Sequence, residues 1–448
     1  MAAHTTVEYC ELSDIGRRRA NNQDAKAVIA PWSREQYRRR GWLFVTADGM
    51  GAHAAGEMAS AIAAEQVPLQ YEKLAHRSPP LALKIAIEHT NAEIHARGET
   101  SPDLRGMGTT CTAVALVPRG VLVGHVGDSR AYRIRGTAIE QLSRDHSLAW
   151  EVEAARGGRD DGVHSPPKNI ITRSLGPHPQ VQVDIEGPFP VESGDVYVVC
   201  SDGLSGQVTD QEIGLVAGGL PPPAAGAMLV GLALVRGAPD NVTVIVARTG
   251  EKEISKASAE DGPWPLVLDD DDNHRAPRPL PWRPLGVAAG SLFSAMLFYK
   301  ESLLMNEAGP IGRLLGPLRE PVSWVGFGGL LMVFLVALMV AFLGFLAPRS
   351  AAVRVLPPGA RLGGGPYRRY DCTPSADLVT AMVASVETAA DGLADRERED
   401  ARRLARRSRD EAAGGDPQAA LRTLAEAVAI YTRSVEAARS DATTRLSG

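Results

Sequence analysis

Several apolar runs in this 448-residue chain end on an aspartate, and that pattern constrains the fold more than any other feature. In LFVTADGMGAHAAGEMAS (43–60), Leu43, Phe44 and Val45 read as a buried strand bounded by turn residues. Asp48 then stands at the rim of a core, where a carboxylate without a partner is expensive. Asp128 in VGHVGDSRAY and Asp202 in VYVVCSDGL close apolar strands in the same way, and Asp240 in APDNVTVIV opens one. A single strand-end aspartate is usually a turn former or a helix cap. Four strain that account. Carboxylates converging on one sheet edge repel one another strongly in a low dielectric. Hard divalent cations such as Mg²⁺ and Mn²⁺ remove the penalty, because they prefer oxygen ligands and keep several waters. A glycine after the acid lets a backbone carbonyl approach a metal unobstructed. Asp48 and Gly49 are therefore candidates for a bridging carboxylate and a carbonyl ligand.

The surrounding pattern gives the layering. Strands are expected at 42–47, 110–117, 121–126, 130–135, 195–200 and 241–248, separated by glycine-bearing turns. Helices are expected at 54–70, from the Ser78-Pro79 cap pair to about residue 97, and at 222–236. Strands pair as hairpins and helices cluster between groups of strands, which argues for an α+β fold with mainly antiparallel sheets over 1–250. A net charge of −5 argues against a nucleic-acid binder. The 4 cysteines, Cys10, Cys111, Cys200 and Cys372, are scattered, as reduced thiols of a cytosolic setting would be. MAAHTTVEYCELSD shows no basic start followed by an apolar stretch, so no secretory signal is expected.

Beyond 250 the composition changes. An acid run followed by proline-rich basic sequence makes 251–284 a linker. The run 322–347 carries no charged residue and is long enough for a bilayer core of roughly 30 Å. The shorter run 285–299, with Trp282 and Tyr299 as interfacial anchors, is expected as the other arm of a transmembrane hairpin. Residues 350–448 read as a mostly helical cytoplasmic tail. It is interrupted at GGDPQAAL (414–421), where Asp416 caps a helix that starts at Pro417 and carries Leu421, Leu424, Val428 and Tyr431 on one face. The basic run 402–409 is expected to be a solvated helix face.

RANNQD (19–24), ADGMGAHAAGE (47–57), GMGTT (106–110), GDSRAY (127–132), LSRDHS (142–147), ITRSLG (171–176), CSDGL (200–204) and PDNVT (239–243) occur in that order. Through them the chain resembles the bacterial form of the protein phosphatase 2C (PP2C, PPM) family of metal-dependent serine/threonine phosphatases. The resemblance implies a β-sandwich of two mainly antiparallel sheets flanked by helices. It implies that Asp48 bridges two Mn²⁺ or Mg²⁺ ions and Gly49 ligates one through its carbonyl. Asp202 and Asp240 would bind the other ion, Asp24 would act from the inner or next shell, and Asp128 would hold a third. Arg19 would grip the substrate phosphate with its planar fork of donors. A water between the metals would attack phosphorus, so no enzyme nucleophile is needed and Ser129 is expected as a turn hydroxyl. Gln23 stands where some members carry a metal-binding glutamate, and Met50 where they carry a histidine. His53 is not assigned that histidine's role, and the flap region 151–169 is short and rich in Gly and Asp.

The implied function is a phosphoprotein phosphatase of the bacterial inner membrane, with its catalytic domain in the cytoplasm, opposing a cognate Ser/Thr kinase. The alternative is a pseudophosphatase that binds phosphoproteins as a membrane scaffold. Arg275, Arg278 and Arg283 before the first apolar arm, and Arg349, Arg354 and Arg361 after the second, bias both flanks inside only modestly, since the loop 300–321 carries Lys300, Arg313 and Arg319. The missing signal peptide and intracellular phosphoprotein substrates complete the expectation.

Overall fold

The structure, a computed structural model, describes residues 7–51, 55–155, 167, 170–250, 263–266, 286–294, 296, 328–340, 355–365 and 367–447. The chain divides into two compact units: residues up to Leu266 together with those from Arg354 onward, and Val267–Val353.

In chain order the first unit runs β1 (Val7–Asp14), β2 (Asp24–Ile29), α1 (Arg34–Arg39), β3 (Trp42–Met50), α2 (Ala55–Lys73), α3 (Pro79–Gly98), β4 (Gly108–Thr109), β5 (Cys111–Val117), β6 (Gly120–Val126), β7 (Arg130–Arg135) and β8 (Ala138–Gln141). It continues with α4 (Leu148–Ala155), β9 (Asp184–Phe189), β10 (Val196–Cys200), α5 (Asp202–Ser205), α6 (Asp210–Gly219), α7 (Pro222–Val235), β11 (Val242–Thr249) and β12 (Trp264–Pro265). The returning segment adds β13 (Val355–Leu356), β14 (Arg369–Asp371), α8 (Ala376–Ala389), α9 (Asp395–Ala413) and α10 (Pro417–Ser447).

Two six-stranded sheets face one another, ordered β1-β11-β10-β7-β8-β14 and β2-β3-β5-β6-β9, with β4 paired to β3. The described strand pairs are antiparallel, as the hairpin pattern led us to expect. Phe44, Val114, Leu116, Val123, Tyr197 and Ile245 fill the space between the sheets. The outer face of the second sheet packs on α2 and α3 through residues such as Val45, Ala59, Leu83 and Ile87. The outer face of the first packs on α6 and α7 through Val198, Val244, Ile213 and Leu229. All six expected strands and three expected helices are present within a few residues. The strands that the apolar pattern did not mark are the two-residue β4, β12 and β13, and β1, β2, β8, β9 and β14, the latter five at or next to sheet edges. Their half-exposed residues break the apolar run that makes a central strand legible.

The tail is part of this unit. β14 pairs with β8 and lengthens the first sheet (Arg369 opposite Glu140, Asp371 opposite Ala138), and β13 pairs with β12. The break at 414–421 forms as expected: Asp416 Oδ1 accepts from Ala419 N at 2.9 Å, and Leu421, Leu424, Val428 and Tyr431 are buried. They pack on α7, where Val428 fills the notch left by Gly231.

The membrane hairpin expected at 285–299 and 322–347 is not carried by the described residues. Helix is described over 286–294 and 328–340, and among the described residues no helix is long and apolar enough to cross a membrane. At 1.5 Å per residue, 328–340 rises about 20 Å, short of the roughly 30 Å hydrocarbon core.

Candidate metal centre

The carboxylates singled out by sequence meet at one end of the sandwich. β3 delivers Asp48, and antiparallel pairing sets Asp24, the first residue of β2, directly opposite it. On the facing sheet, β10 ends at Cys200, Ser201 caps α5, and Asp202 is the first helical residue. The neighbouring β11 starts just after Asp240 and Asn241, so Asp202 and Asp240 arise from the same end of two adjacent strands. The turn between β6 and β7 supplies Asp128. Asp202 lies within hydrogen-bond reach of Asp48, which brings the two sheets' acids together.

The backbone around Asp48 is held from several sides. Its N–H donates to Thr110 Oγ1 at 2.9 Å, and its carbonyl accepts from Thr109 Oγ1 and Thr110 N, each at 2.9 Å. Gly49 N donates to Gln23 O at 3.0 Å, and a Cβ on Gly49 would collide with Gly56 O and Gln23 O. Glycine is therefore required by the close approach of α2's first turn and the Asn22–Asp24 segment. Ser201 ties the sheets: its hydroxyl donates to Asp24 Oδ2 at 2.8 Å and accepts from Thr243 N at 3.0 Å.

Electrostatically the cluster is unfinished. Asp24 Oδ1, Asp128 Oδ1 and Asp202 Oδ1 are buried and, among the described residues, have no hydrogen-bond partner. Burial, followed by repulsion from neighbouring acids, pushes the Asp48 carboxyl well above the usual range and raises that of Asp202. The same causes lift Asp24 to about 6 and Asp128 to about 7. Buried oxygens with no donor are costly unless a cation supplies the missing charge. The donor set is all hard oxygen, which suits Mg²⁺ or Mn²⁺. Among the described residues no three or more His, Cys, Asp or Glu side chains close into a metal cage of protein atoms alone. Ions that keep several waters do not need one. The residues fit a hydrated divalent centre.

Arg19 lies beside it. Its Nη2 donates to Asp240 Oδ2 at 2.6 Å, and about half of its side chain remains exposed. That leaves part of the fork free for an incoming anion. The sequence reading assigned no role to Asn241, yet it organises this loop. Asn241 Oδ1 accepts from Gln23 N at 2.8 Å, and Nδ2 donates to Ile15 O and Asn21 O at 2.8 and 3.0 Å. An Asn directly after a strand-opening acid was the available signal. Ser129 is buried and shares a 2.8 Å hydrogen bond with Thr110, in keeping with a structural hydroxyl. Gln23 contributes its backbone to Gly49 and Asn241, and Met50 packs beside Gly108. His53 lies outside the described residues, as does the flap beyond α4 apart from Pro167 and Ile170 onward.

A cleft of about 520 Å³ opens from Asp128 and Asp202 towards Trp150, Glu153, Arg368 and Tyr370. Arg368, from the tail, stacks 3.7 Å from the Trp150 ring centroid and pairs with Glu153 at 2.5 Å. Deeper in the wall, Arg130 is saturated by Asp145 and Asp210.

The profile of the family described as Protein phosphatase 2C matches residues 16–217. The protein phosphatase PhpP of Streptococcus pneumoniae is 34% identical over 255 residues, covering 55% of this chain and 99% of its own length. The serine/threonine protein phosphatase PstP of Mycobacterium tuberculosis is 36% identical over 260 residues, covering 55% of this chain. The match spans about half, 46%, of that relative's length. The crystal structure of the M. tuberculosis serine/threonine phosphatase PstP/Ppp aligns at 35% identity over 55% of this chain and 99% of its own, with a TM-score of 0.47.

Proposed function

The chain belongs to the protein phosphatase 2C family, and from that premise we propose that it hydrolyses phosphoserine and phosphothreonine monoesters on proteins. The observation that carries this reading is the gathering of Asp24, Asp48, Asp128, Asp202 and Asp240 at one sheet end, with three of their buried oxygens lacking donors among the described residues and a forked cation at the rim. Asp24, Asp48, the Gly49 carbonyl, Asp202 and Asp240 would hold two Mn²⁺ or Mg²⁺ ions, and Asp128 a third. Such ions supply Lewis acidity toward the phosphoryl oxygens and lower the pKa of water. Arg19 binds and orients the phosphate through the part of its fork not engaged by Asp240. Thr109 and Thr110 fix the backbone of Asp48, and Ser201 fixes Asp24. The partners are phosphorylated proteins and the kinase that modifies them.

The place of action follows as part of the same proposal: the inner face of a bacterial cell membrane, with 285–299 and 322–347 as the anchor. The support is the uncharged run 322–347 and the exposed Met332, Leu335, Val336 and Met339 in its described part. The chain leaves the first unit after Leu266 and rejoins it at Arg354, which is compatible with a two-span hairpin. A periplasmic signal from a reporter fused after Gly448 would refute the hairpin.

The activity test uses the full chain with a phosphothreonine peptide. Phosphate release that requires Mn²⁺ or Mg²⁺ and stops with chelator is expected. Metal binding without turnover on any phosphopeptide or p-nitrophenyl phosphate would favour the scaffold instead.

A further inference from the structure

The tail reaches the phosphate-gripping loop. Arg439, near the end of α10, donates through Nη1 to Asp14 Oδ2 at 3.0 Å. Its Nη2 donates to Asp14 Oδ1 at 3.1 Å and to Gly16 O at 2.6 Å. Two turns earlier on the same helix, the buried Tyr431 accepts from Arg17 Nη1 at 2.7 Å, and the Arg17 guanidinium lies 5.9 Å from its ring centroid. The turn Asp14–Arg17 is thus gripped from outside by two side chains more than 400 positions away in sequence.

The other side of that turn faces the metal centre. Gly16 adopts φ +75° and packs so closely on Asp240 that a Cβ would collide with the Asp240 carbonyl. Arg17 N donates to Ala238 O at 2.8 Å. Two residues further on, Arg19 makes its 2.6 Å bond to Asp240. The four residues Asp14–Arg17 therefore lie between the tail helix and the Ala238–Asp240 segment, whose Asp240 is the partner of Arg19.

We propose that α10 braces the phosphate-gripping loop, with Arg439 and Tyr431 as positioning residues for Arg19; this rests on the reading of Arg19 as the phosphate grip. An arginine on an unbraced loop loses substantial backbone and rotamer freedom when it orders around an anion. A loop already fixed on both sides loses less, and the saving appears as tighter phosphate binding. Arg439 offers a two-pronged donor set to a carboxylate and a carbonyl together, which lysine cannot reproduce. The tail thereby sets how well the centre holds substrate and product, while Asp48 and Asp24 keep their own supports from Thr109, Thr110 and Ser201.

The test compares full-length wild type with Arg439→Ala, Arg439→Lys and Tyr431→Phe, alone and in an Arg19→Ala background. Arg409→Ala, which breaks the tail's Arg409–Glu387 pair, controls for general loosening of the tail. The readouts are KM and kcat for p-nitrophenyl phosphate and the inhibition constant of inorganic phosphate. Arg439→Ala should raise KM and the phosphate inhibition constant about tenfold, with kcat within about twofold of wild type. Arg439→Lys should recover little of the loss, Tyr431→Phe should show a smaller rise, and Arg409→Ala should show none. In the Arg19→Ala background the Arg439 effect should vanish. Equal Arg439 effects in both backgrounds, or unchanged KM and phosphate inhibition in all three tail variants while Arg19→Ala is impaired, would overturn the brace alone. If Arg439→Ala does not fold, Arg439→Lys and Tyr431→Phe decide the same question. Arg19→Ala with unchanged KM would overturn the reading of Arg19 and the brace with it.

Discussion

Two sets of partly or fully buried acids lie in this molecule, and they are treated in opposite ways. At the sheet end, Asp24, Asp128 and Asp202 each keep a buried oxygen without a donor among the described residues, and with Asp48 they repel one another. Among the other described buried acids, Asp145, Asp195 and Glu212 are each matched by an arginine. Asp145 takes three contacts from Arg130 and one from Gln141, and Asp195 is clasped by Arg135 Nε and Nη2, each at 2.7 Å. Glu212 accepts from Arg236 at 2.7 and 2.6 Å and closes the capping box of α6 with Thr209. Burial pushes the Glu212 carboxyl up, but Arg236 and Thr209 together outweigh it and the net shift is down. The same side-chain chemistry is satisfied where it supports the frame and left unsatisfied where a cation is to be received. Being buried does not mark an acid as functional; being buried without a donor does.

The largest expected break of this contrast comes from removing charge at the site. Asp48→Asn and Asp240→Asn should each reduce turnover by at least about 10²-fold, more than loss of an outer-shell partner usually costs. Metal-free Asp48→Asn should melt higher than metal-free wild type, because one source of repulsion is gone. Activity within tenfold of wild type in either variant would refute the two-metal assignment.

The frame should respond with the opposite sign. Arg236→Met leaves Glu212 buried beside Thr209 without its cation and should lose about 3–5 kcal/mol in urea unfolding. A loss no larger than that of a surface substitution would erase the distinction between the two sets of acids.

Metal and pH sharpen the comparison next. Mn²⁺ at a hundred times its dissociation constant should stabilise the chain by about 2.7 kcal/mol, seen as a raised melting temperature. In the metal-free protein the folded carboxyls of Asp24 and Asp128 titrate at about 6 and about 7, above their unfolded value of 3.8. Between those limits these two carboxyls bind more protons in the folded state than in the unfolded one, so their contribution to stability is full below about pH 4 and is lost as pH rises to about 7. Saturating Mn²⁺ should reverse that slope. A metal-free stability that rises over the same window would contradict the unpaired cluster.

The smallest effect concerns a cap. Thr209→Ala removes one hydrogen-bond partner of Glu212 but leaves Arg236 in place, and should cost about 1 kcal/mol with turnover unchanged.

Much of this was legible in the linear chain, for a definite reason. Central strands such as β3, β5 and β10 are buried on both faces, so each writes itself as an apolar run, and the acids at the ends of β3 and β10 are visible against it. The cap at Asp416 and the apolar face of α10 are likewise local patterns, set by hydrogen bonds and side-chain spacing within a few residues. Edge strands β1, β2 and β9 lack that signature because one side of each meets solvent or loops. Pairings across hundreds of residues have no local trace at all. Arg439 on Asp14, β14 on β8, Asn241 on Gln23 and the choice of which acids receive an arginine were decided only when the sheets closed and the tail docked. The sequence by itself determined where the carboxylates stand along the strands; the tertiary structure decided which of them are left without a partner, because satisfaction of a buried charge depends on what the rest of the chain brings within about 3 Å of it.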